Sequence, residues 1–312
     1  MLPSIAEPTL ADTLRSGRFG LVLSAGYFGF FGHAGLLAAL EEAGLAPQAW
    51  AGTSAGALVA AMGASGMSAG RIADLLASIK RDDFWDPSPL DLVMDTLRGR
   101  GGTGLLRGER FRALLDRHLP VREIESCPSP LVVVTSDITG ASPKVHDRGP
   151  LAAAVHASCA YPGLFRAVDD DGAQLWDGGL VDKAPLVALA DRVPELDALL
   201  VLYLPSETKA RAETRQKRHG YLGGLAQGLA TVRHEHYVLQ ARLCEARGLP
   251  VYEISPTLTP LGPTRLAQGP IALREARDEA TLALRSSAAA SRPYARGTIA
   301  DKSRPETLPS RR

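Results

Sequence analysis

The chain has 312 residues, 45% hydrophobic and 22% charged, with a formal net charge of +1. That length supports one large α/β domain or two small ones, and the near-neutral balance removes the electrostatic case for a nucleic-acid partner. Three cysteines, Cys127, Cys159 and Cys244, are far apart and odd in number; they form no metal-ligand spacing or disulfide framework and point to a reducing, cytoplasmic compartment. The first twenty residues carry acids and prolines and no apolar signal core. No run of about 18 apolar residues occurs, so no spanning helix is expected, and only a peripheral contact with a membrane surface stays open.

In chain order, residues 1–17 read as a lead-in with little core. A strand–helix alternation then begins: a short buried strand at Phe19–Ser24, a helix at Gly35–Ala43 stopped by Gly44, a second strand at Gln48–Thr53, and an Ala-rich helix at Ala55–Ala64. Residues 82–119 break the pattern with prolines and a Gly cluster. They read as an insertion over the sheet, with a mobile turn at Arg98–Gly104. Leu131–Ser136 is the β-branched run of a buried parallel strand. A helix at Leu151–Ala160, a strand at Ala173–Trp176, a helix at Leu186–Arg192 and a strand at Ala198–Leu204 follow. A long helix at Tyr221–Arg247 and a last strand at Pro250–Ile254 complete the pattern, and the small, polar residues after Ser286 read as a disordered tail. Strands separated by helices predict a parallel sheet covered on both faces.

Two segments carry chemistry. AGTSAGA (51–57) holds G-x-S-x-G at Gly52, Ser54 and Gly56, between an incoming apolar strand and an outgoing helix. Such a turn lifts a serine hydroxyl out of a sheet, and the flanking glycines let neighbouring backbone pass closely. Chance supplies the pattern only roughly 0.1 times in a chain this long, which favours a nucleophile over a plain turn. In WDGGLVDKAPL (176–186), Asp177 ends a short strand before Gly178 and Gly179; it is either a catalytic carboxylate or an ordinary Asp-Gly turn. A conventional triad would draw its histidine from His219, His234 or His236, late in the chain but within a helical stretch. The segment SAGYFGFFGHAG (24–35) alternates glycines with aromatics. Tyr27, Phe28, Phe30 and Phe31 could line an acyl pocket, but packing of the first helix on the sheet is favoured. Phe84, Trp85, Leu90, Leu92, Val93 and Met94 could form an interfacial lid or an ordinary amphipathic cover.

Together these segments resemble the patatin-like phospholipase family, from about Phe19 to Leu204. The match is carried by AGTSAG around Ser54, D-G-G at Asp177, AVHASCAYPGLFRAV (154–168) and TSDITG (135–140), in the family's order. The resemblance implies a three-layer α/β/α fold with a mostly parallel central sheet and a C-terminal helical extension. It implies a catalytic domain over residues 18–205, with a cap at 82–119, an extension at 206–285 and the tail at 286–312. It also implies a Ser–Asp dyad without histidine: Ser54 as nucleophile, Asp177 as general base, no metal and no cofactor, acting on phospholipid or other lipid esters. The family's G-G-G-x-[R/K]-G stretch, whose amides form the oxyanion hole, aligns with Ala25, Gly26 and Tyr27. Its basic residue falls on Gly29, so that residue is missing here. A one-residue slide instead matches Gly26 and Gly29, with Ser24 in place of the first glycine. A Tyr27 forced to positive φ would be strained. Two other readings stay open: an esterase with a Ser-His-Asp triad acting on soluble esters, and a weakly active lipid-binding protein.

Overall fold

The computed structural model describes residues 7–88, 90, 93, 94, 97, 103–204 and 220–293. The expected turn at Arg98–Gly104 lies outside them up to residue 102, as do Leu92, His219 and the tail beyond 293.

After a short helix α1 (Leu10–Arg15), the chain alternates β1 (Phe19–Leu23), α2 (Phe30–Glu42), β2 (Ala49–Thr53) and α3 (Ala55–Ala64). Helices α4 (Ala69–Ser78) and α5 (Arg81–Phe84) lead to β3 (Gly104–Leu106) and α6 (Glu109–His118). Next come β4 (Leu131–Asp137), β5 (Ser142–His146), α7 (Leu151–Ser158), β6 (Gly163–Phe165), β7 (Val168–Asp170) and β8 (Ala173–Asp177). The described chain ends with α8 (Leu186–Arg192), β9 (Ala198–Leu202), α9 (Tyr221–Ala246), β10 (Val251–Ile254) and α10 (Gly269–Arg285). The sheet runs β10-β9-β1-β2-β4-β8-β7, with β5 also on β4; β10, β9, β1, β2 and β4 are mutually parallel, β5 and β8 run antiparallel to β4, and β7 pairs antiparallel with β8.

Period-2 alternation divides the central strands between two cores. Leu21, Leu23, Trp50, Val133 and Leu200 point to one face, where Phe31, Leu36, Leu58 and Val155 meet them. Val22, Ala51, Val132, Val134 and Val201 point to the other, against Leu186, Leu189, Tyr237 and Cys244. A sheet apolar on both faces has to be covered on both, which yields the expected three-layer arrangement with a mostly parallel sheet.

Some local expectations change. The described part of the lead-in, residues 7–17, contributes core, because Leu10 and Leu14 of α1 are fully buried. Residues 286–293 are ordered: Ser287 bridges Thr9, and Arg292 bonds Glu245 at 2.9 Å and covers the Tyr252 ring. Helix α2 starts at Phe30, five residues early, which brings Phe30 and Phe31 into it. Phe31 is buried and Phe28 and Phe30 pack partly against the same core, whereas Tyr27 is 51% exposed. Three of the four aromatics therefore pack.

The topology explains how two residues 123 apart in sequence meet. Strand β5 occupies one edge of β4, so β2 and β8 share the other. Strand β2 runs parallel to β4 until Thr53 pairs with Val134, and β8 runs antiparallel until Asp177 pairs with Thr135. The two strands therefore approach head-on and stop one register position apart, at the C-terminal ends of the parallel strands where open α/β sheets place their sites.

Candidate active site

Ser54 leaves β2 with φ 56° and ψ −122°, a backbone conformation that non-glycine residues avoid. Its surroundings impose this bend. A Cβ on Gly56 would lie 2.0 Å from the Leu23 carbonyl oxygen, so the chain passes β1 at a distance only glycine permits. The Ser54 N–H donates to Ser158 Oγ at 2.9 Å, and that hydroxyl donates in turn to the Val134 carbonyl at 2.7 Å. The Ala-rich helix α3 starts directly behind Ser54 and turns its positive dipole end toward the bend.

The Ser54 hydroxyl donates to Asp177 Oδ2 at 2.6 Å. Asp177 Oδ1 accepts the Gly179 N–H at 2.8 Å, and its carbonyl accepts the Ser136 hydroxyl at 2.8 Å. The following residue lies so close to β4 that a Cβ on Gly178 would stand 2.1 Å from the Val134 carbonyl oxygen. The carboxylate is 4% exposed. Burial pushes its pKa up from 3.8 to about 6, against the lowering effects of the Ser54 and Gly179 hydrogen bonds and the Arg233 guanidinium. Arg233 reaches over from α9 and donates to the Gly179 carbonyl at 2.9 Å. Burial and the neighbouring Asp177 charge push the Cys159 thiol well above its ordinary value, so it is a poor nucleophile.

The loop Ser24–Gly29 lies against this pair: a Cβ on Gly56 would be 2.8 Å from the Ser24 carbonyl oxygen, and one on Gly179 would be 2.7 Å from the Ala25 Cβ. Of the three amides expected to form an oxyanion hole, that of Ala25 is already engaged, donating to the Lys183 carbonyl at 2.7 Å. The amide of Gly26 donates to no group among the described residues. The positive φ falls on Phe28, at 53°, and not on Tyr27. Groups from elsewhere hold the loop: the Leu204 main-chain N–H donates to Ser24 Oγ at 2.8 Å, and the His33 side chain donates from Nε2 to the Ser24 carbonyl at 2.8 Å. Burial lowers the His33 pKa to about 4, so the imidazole is neutral and structural.

No histidine hydrogen-bonds Ser54 or Asp177 among the described residues. His234 meets the Tyr203 hydroxyl at 3.1 Å, and His236 meets Gln240 at 3.3 Å. His146 bonds Thr135, and His156 lies among the Phe111 and Phe165 rings. Sequence reasoning missed Ser158, Ser136, Arg233 and Lys183. Ser158 and Ser136 lay within segments already marked by the family resemblance, 154–168 and 135–140, whereas Arg233 and Lys183 did not. In the cap region Phe84 is buried, whereas Leu90, Val93 and Met94 are exposed.

Residues 21–190 match the model of the family Patatin-like phospholipase, a span holding both Ser54 and Asp177; G-x-S-x-G and a Ser–Asp dyad are typical of that family. Uncharacterized NTE family protein Rv1063c of Mycobacterium tuberculosis (strain ATCC 25618 / H37Rv) is 33% identical over 180 residues, 56% of this chain and 46% of that protein. Patatin-like phospholipase domain-containing protein 6 of Mus musculus is 33% identical over 181 residues, 56% of this chain and 13% of that protein. The crystal structure of VipD from Legionella pneumophila aligns with a TM-score of 0.43 at 15% identity, covering 86% of this chain and 66% of that one. The chain thus aligns with less than half the length of these two curated relatives. With a family match extending over more than half of its residues, the chain belongs to the patatin-like phospholipase family.

Proposed function

We propose that the chain is a lipid acyl hydrolase that cleaves carboxylic esters of phospholipids or lysophospholipids through an acyl-enzyme on Ser54, with Asp177 as general base. The observation that carries this reading is the 2.6 Å hydrogen bond from Ser54 Oγ to a buried carboxylate, with no histidine bonded to either among the described residues. An ordinary carboxylate is too weak a base to help an alcohol much. Burial raises Asp177 to about 6, closer to the working pH, where general-base catalysis is more effective.

As Ser54 Oγ attacks the ester carbonyl, its proton passes to Asp177 Oδ2. The tetrahedral oxyanion then draws on the Gly26 amide and the positive end of α3. The C–O bond to the alcohol breaks and the alcohol leaves with the proton. Water attacks the acyl-enzyme, Asp177 again takes the proton, and the fatty acid departs as Ser54 is regenerated.

The test is fatty-acid release from phosphatidylcholine and lysophosphatidylcholine vesicles and from p-nitrophenyl butyrate. Ser54→Ala and Asp177→Asn should each lose at least about a thousandfold in kcat, and the wild-type acidic limb of kcat/KM should fall near pH 6. A retained Asp177→Asn rate, with loss in His234→Ala, would instead establish the triad. The engaged Ala25 amide favours one second reading, a weakly active lipid-binding protein. Vesicle binding without labelling of Ser54 by a fluorophosphonate would establish it.

A further inference from the structure

Helix α9 is 26 residues long, and its outward side is apolar. Leu225, Leu229, Val232, Leu239 and Leu243 are 57%, 37%, 66%, 60% and 43% exposed. Their spacings of four, three, seven and four residues fit one heptad frame, with Leu229, His236 and Leu243 at a and Leu225, Val232 and Leu239 at d. A strict a/d stripe is the narrow seam of a coiled coil, not the broader face that packs on a globular core. The core-facing side of α9 is centred on Tyr237, Gln240, Ala241 and Cys244, buried against the chain's own sheet and Asp182, and the half-buried His236 of the seam borders it through its contact with Gln240. The first two turns stand clear of the body, since every residue with a described side chain from Tyr221 to Leu229 is exposed except the half-buried Gln227. A Cβ at Gly224 or Gly228 would meet nothing within 4 Å among the described residues. Helical turns with so little packing are marginal alone in water.

We infer that this seam pairs two copies of the chain through an antiparallel coiled coil of α9 with α9. Charge selects a second copy as the occupant. In the register that stacks His236 on the partner's Leu239 and Val232 on the partner's Leu243, Glu235 at g faces Arg242 of the partner subunit. The two-fold axis makes that pair twice. Sliding one heptad in one direction sets Glu235 against itself, and sliding in the other sets Arg242 against itself. A parallel pair stacks His236 on His236 and brings Arg242 against Arg247. Like charges at such positions are disfavoured and opposite ones set partner orientation. The paired stretch, Leu229 to Ala246, is about 27 Å long at 1.5 Å per residue. A lipid surface is the weaker candidate. From Tyr221 to Ala246 the helix has two arginines and two glutamates and no lysine, tryptophan or phenylalanine, unlike the cationic, aromatic helices that lie in membrane interfaces.

The test is sedimentation of the full chain from 1 to 100 µM, with variants at the seam and its flank. The wild type should sediment at twice 33.0 kDa. Val232→Glu/Leu239→Glu should be monomeric, with its melting temperature extrapolated to low concentration and its p-nitrophenyl ester hydrolysis unchanged. Glu235→Arg and Arg242→Glu should each weaken dimerisation at least tenfold, and combining them should restore it. A wild type monomeric at 100 µM overturns the inference, whether or not the seam variants lose binding to phosphatidylcholine vesicles. So does a dimer indifferent to the seam variants, or one that the combined charge swap fails to restore.

Discussion

Two bends lie side by side at the C-terminal ends of β1 and β2, and both hold a non-glycine residue at positive φ: Phe28 at 53° and Ser54 at 56°. They are constrained in different ways. The Ser54 bend is crowded by main chain, with Gly56 against the Leu23 carbonyl and Gly52 against the Gly56 carbonyl. The Ser24–Gly29 loop is crowded by side chain, since a Cβ on Gly26 or Gly29 would first meet the Leu204 side chain. Backbone crowding permits one local solution, and it writes a motif. Side-chain crowding admits many solutions provided a distant partner changes too, so the loop can drift from its family's glycines while the elbow keeps them.

The largest test of that contrast is steric. Gly56→Ala should destabilise the protein by more than about 3 kcal/mol, because the Leu23 carbonyl belongs to a central strand and has nowhere to move. No substitution of a neighbouring side chain should relieve it. Gly29 has φ −77°, which alanine accepts, and its new Cβ would meet Leu204 Cδ1 at 2.2 Å. Gly29→Ala should therefore cost less. Leu204→Ala leaves a cavity worth about 2–5 kcal/mol, and adding Gly29→Ala to it should cost nothing further. Urea denaturation of the two single variants and the double variant measures the coupling. Additive losses would show that the loop is as rigidly set as the elbow.

The same physics decides what was legible in the sequence. The three-layer fold followed from strands apolar on both faces, such as Leu131–Val134, alternating with helices. Gly52, Ser54 and Gly56 stood out because their constraint is local. Asp177 stood out less, since a D-G-G turn is common and only its order after the other segments marks it. Ala25 was misjudged as a donor because the fate of its amide depends on Lys183, far along the chain. Ser158 and Arg233 act across 104 and 54 residues, on the Ser54 amide and the Gly179 carbonyl; a single sequence carries no mark of such contacts. The ordered residues 286–293 read as a tail because small residues leave little apolar signal even when they pack.

The elbow's rigidity also holds an ionisable group where it is unfavourable. In the unfolded chain Asp177 titrates near 3.8, and in the folded chain near 6. Between these values the native state binds more protons, so wild-type stability falls as pH rises from about 4 through 6. Asp177→Asn keeps the shape and removes the buried charge. Above pH 7 it should be more stable than the wild type by at most about 3 kcal/mol, and the difference should vanish below pH 4. Thermal melts across pH 3–8 test this. A variant less stable at pH 8 would mean that the Ser54 and Gly179 hydrogen bonds outweigh the cost of burial.

The smallest expected effect separates the two bends most cleanly. Each depends on one buried serine: Ser158 Oγ accepts the Ser54 N–H, and Ser24 Oγ accepts the Leu204 N–H. Changing either serine to alanine leaves a backbone N–H without its acceptor, at about 1–2 kcal/mol of stability, so denaturation alone should not tell them apart. Turnover should. Without Ser158 the strained Ser54 backbone loses the group that fixes its amide, and the hydroxyl spends less time aligned with Asp177, so kcat should fall about tenfold with KM unchanged. Without Ser24 the loss falls on Leu204, beyond the loop, while His33 still holds the Ser24 carbonyl and Lys183 still holds the Ala25 amide. The Gly26 donor should therefore stay in place and kcat should change less than about threefold. Equal losses of turnover from the two substitutions would mean that the loop, like the elbow, is set by a single hydroxyl.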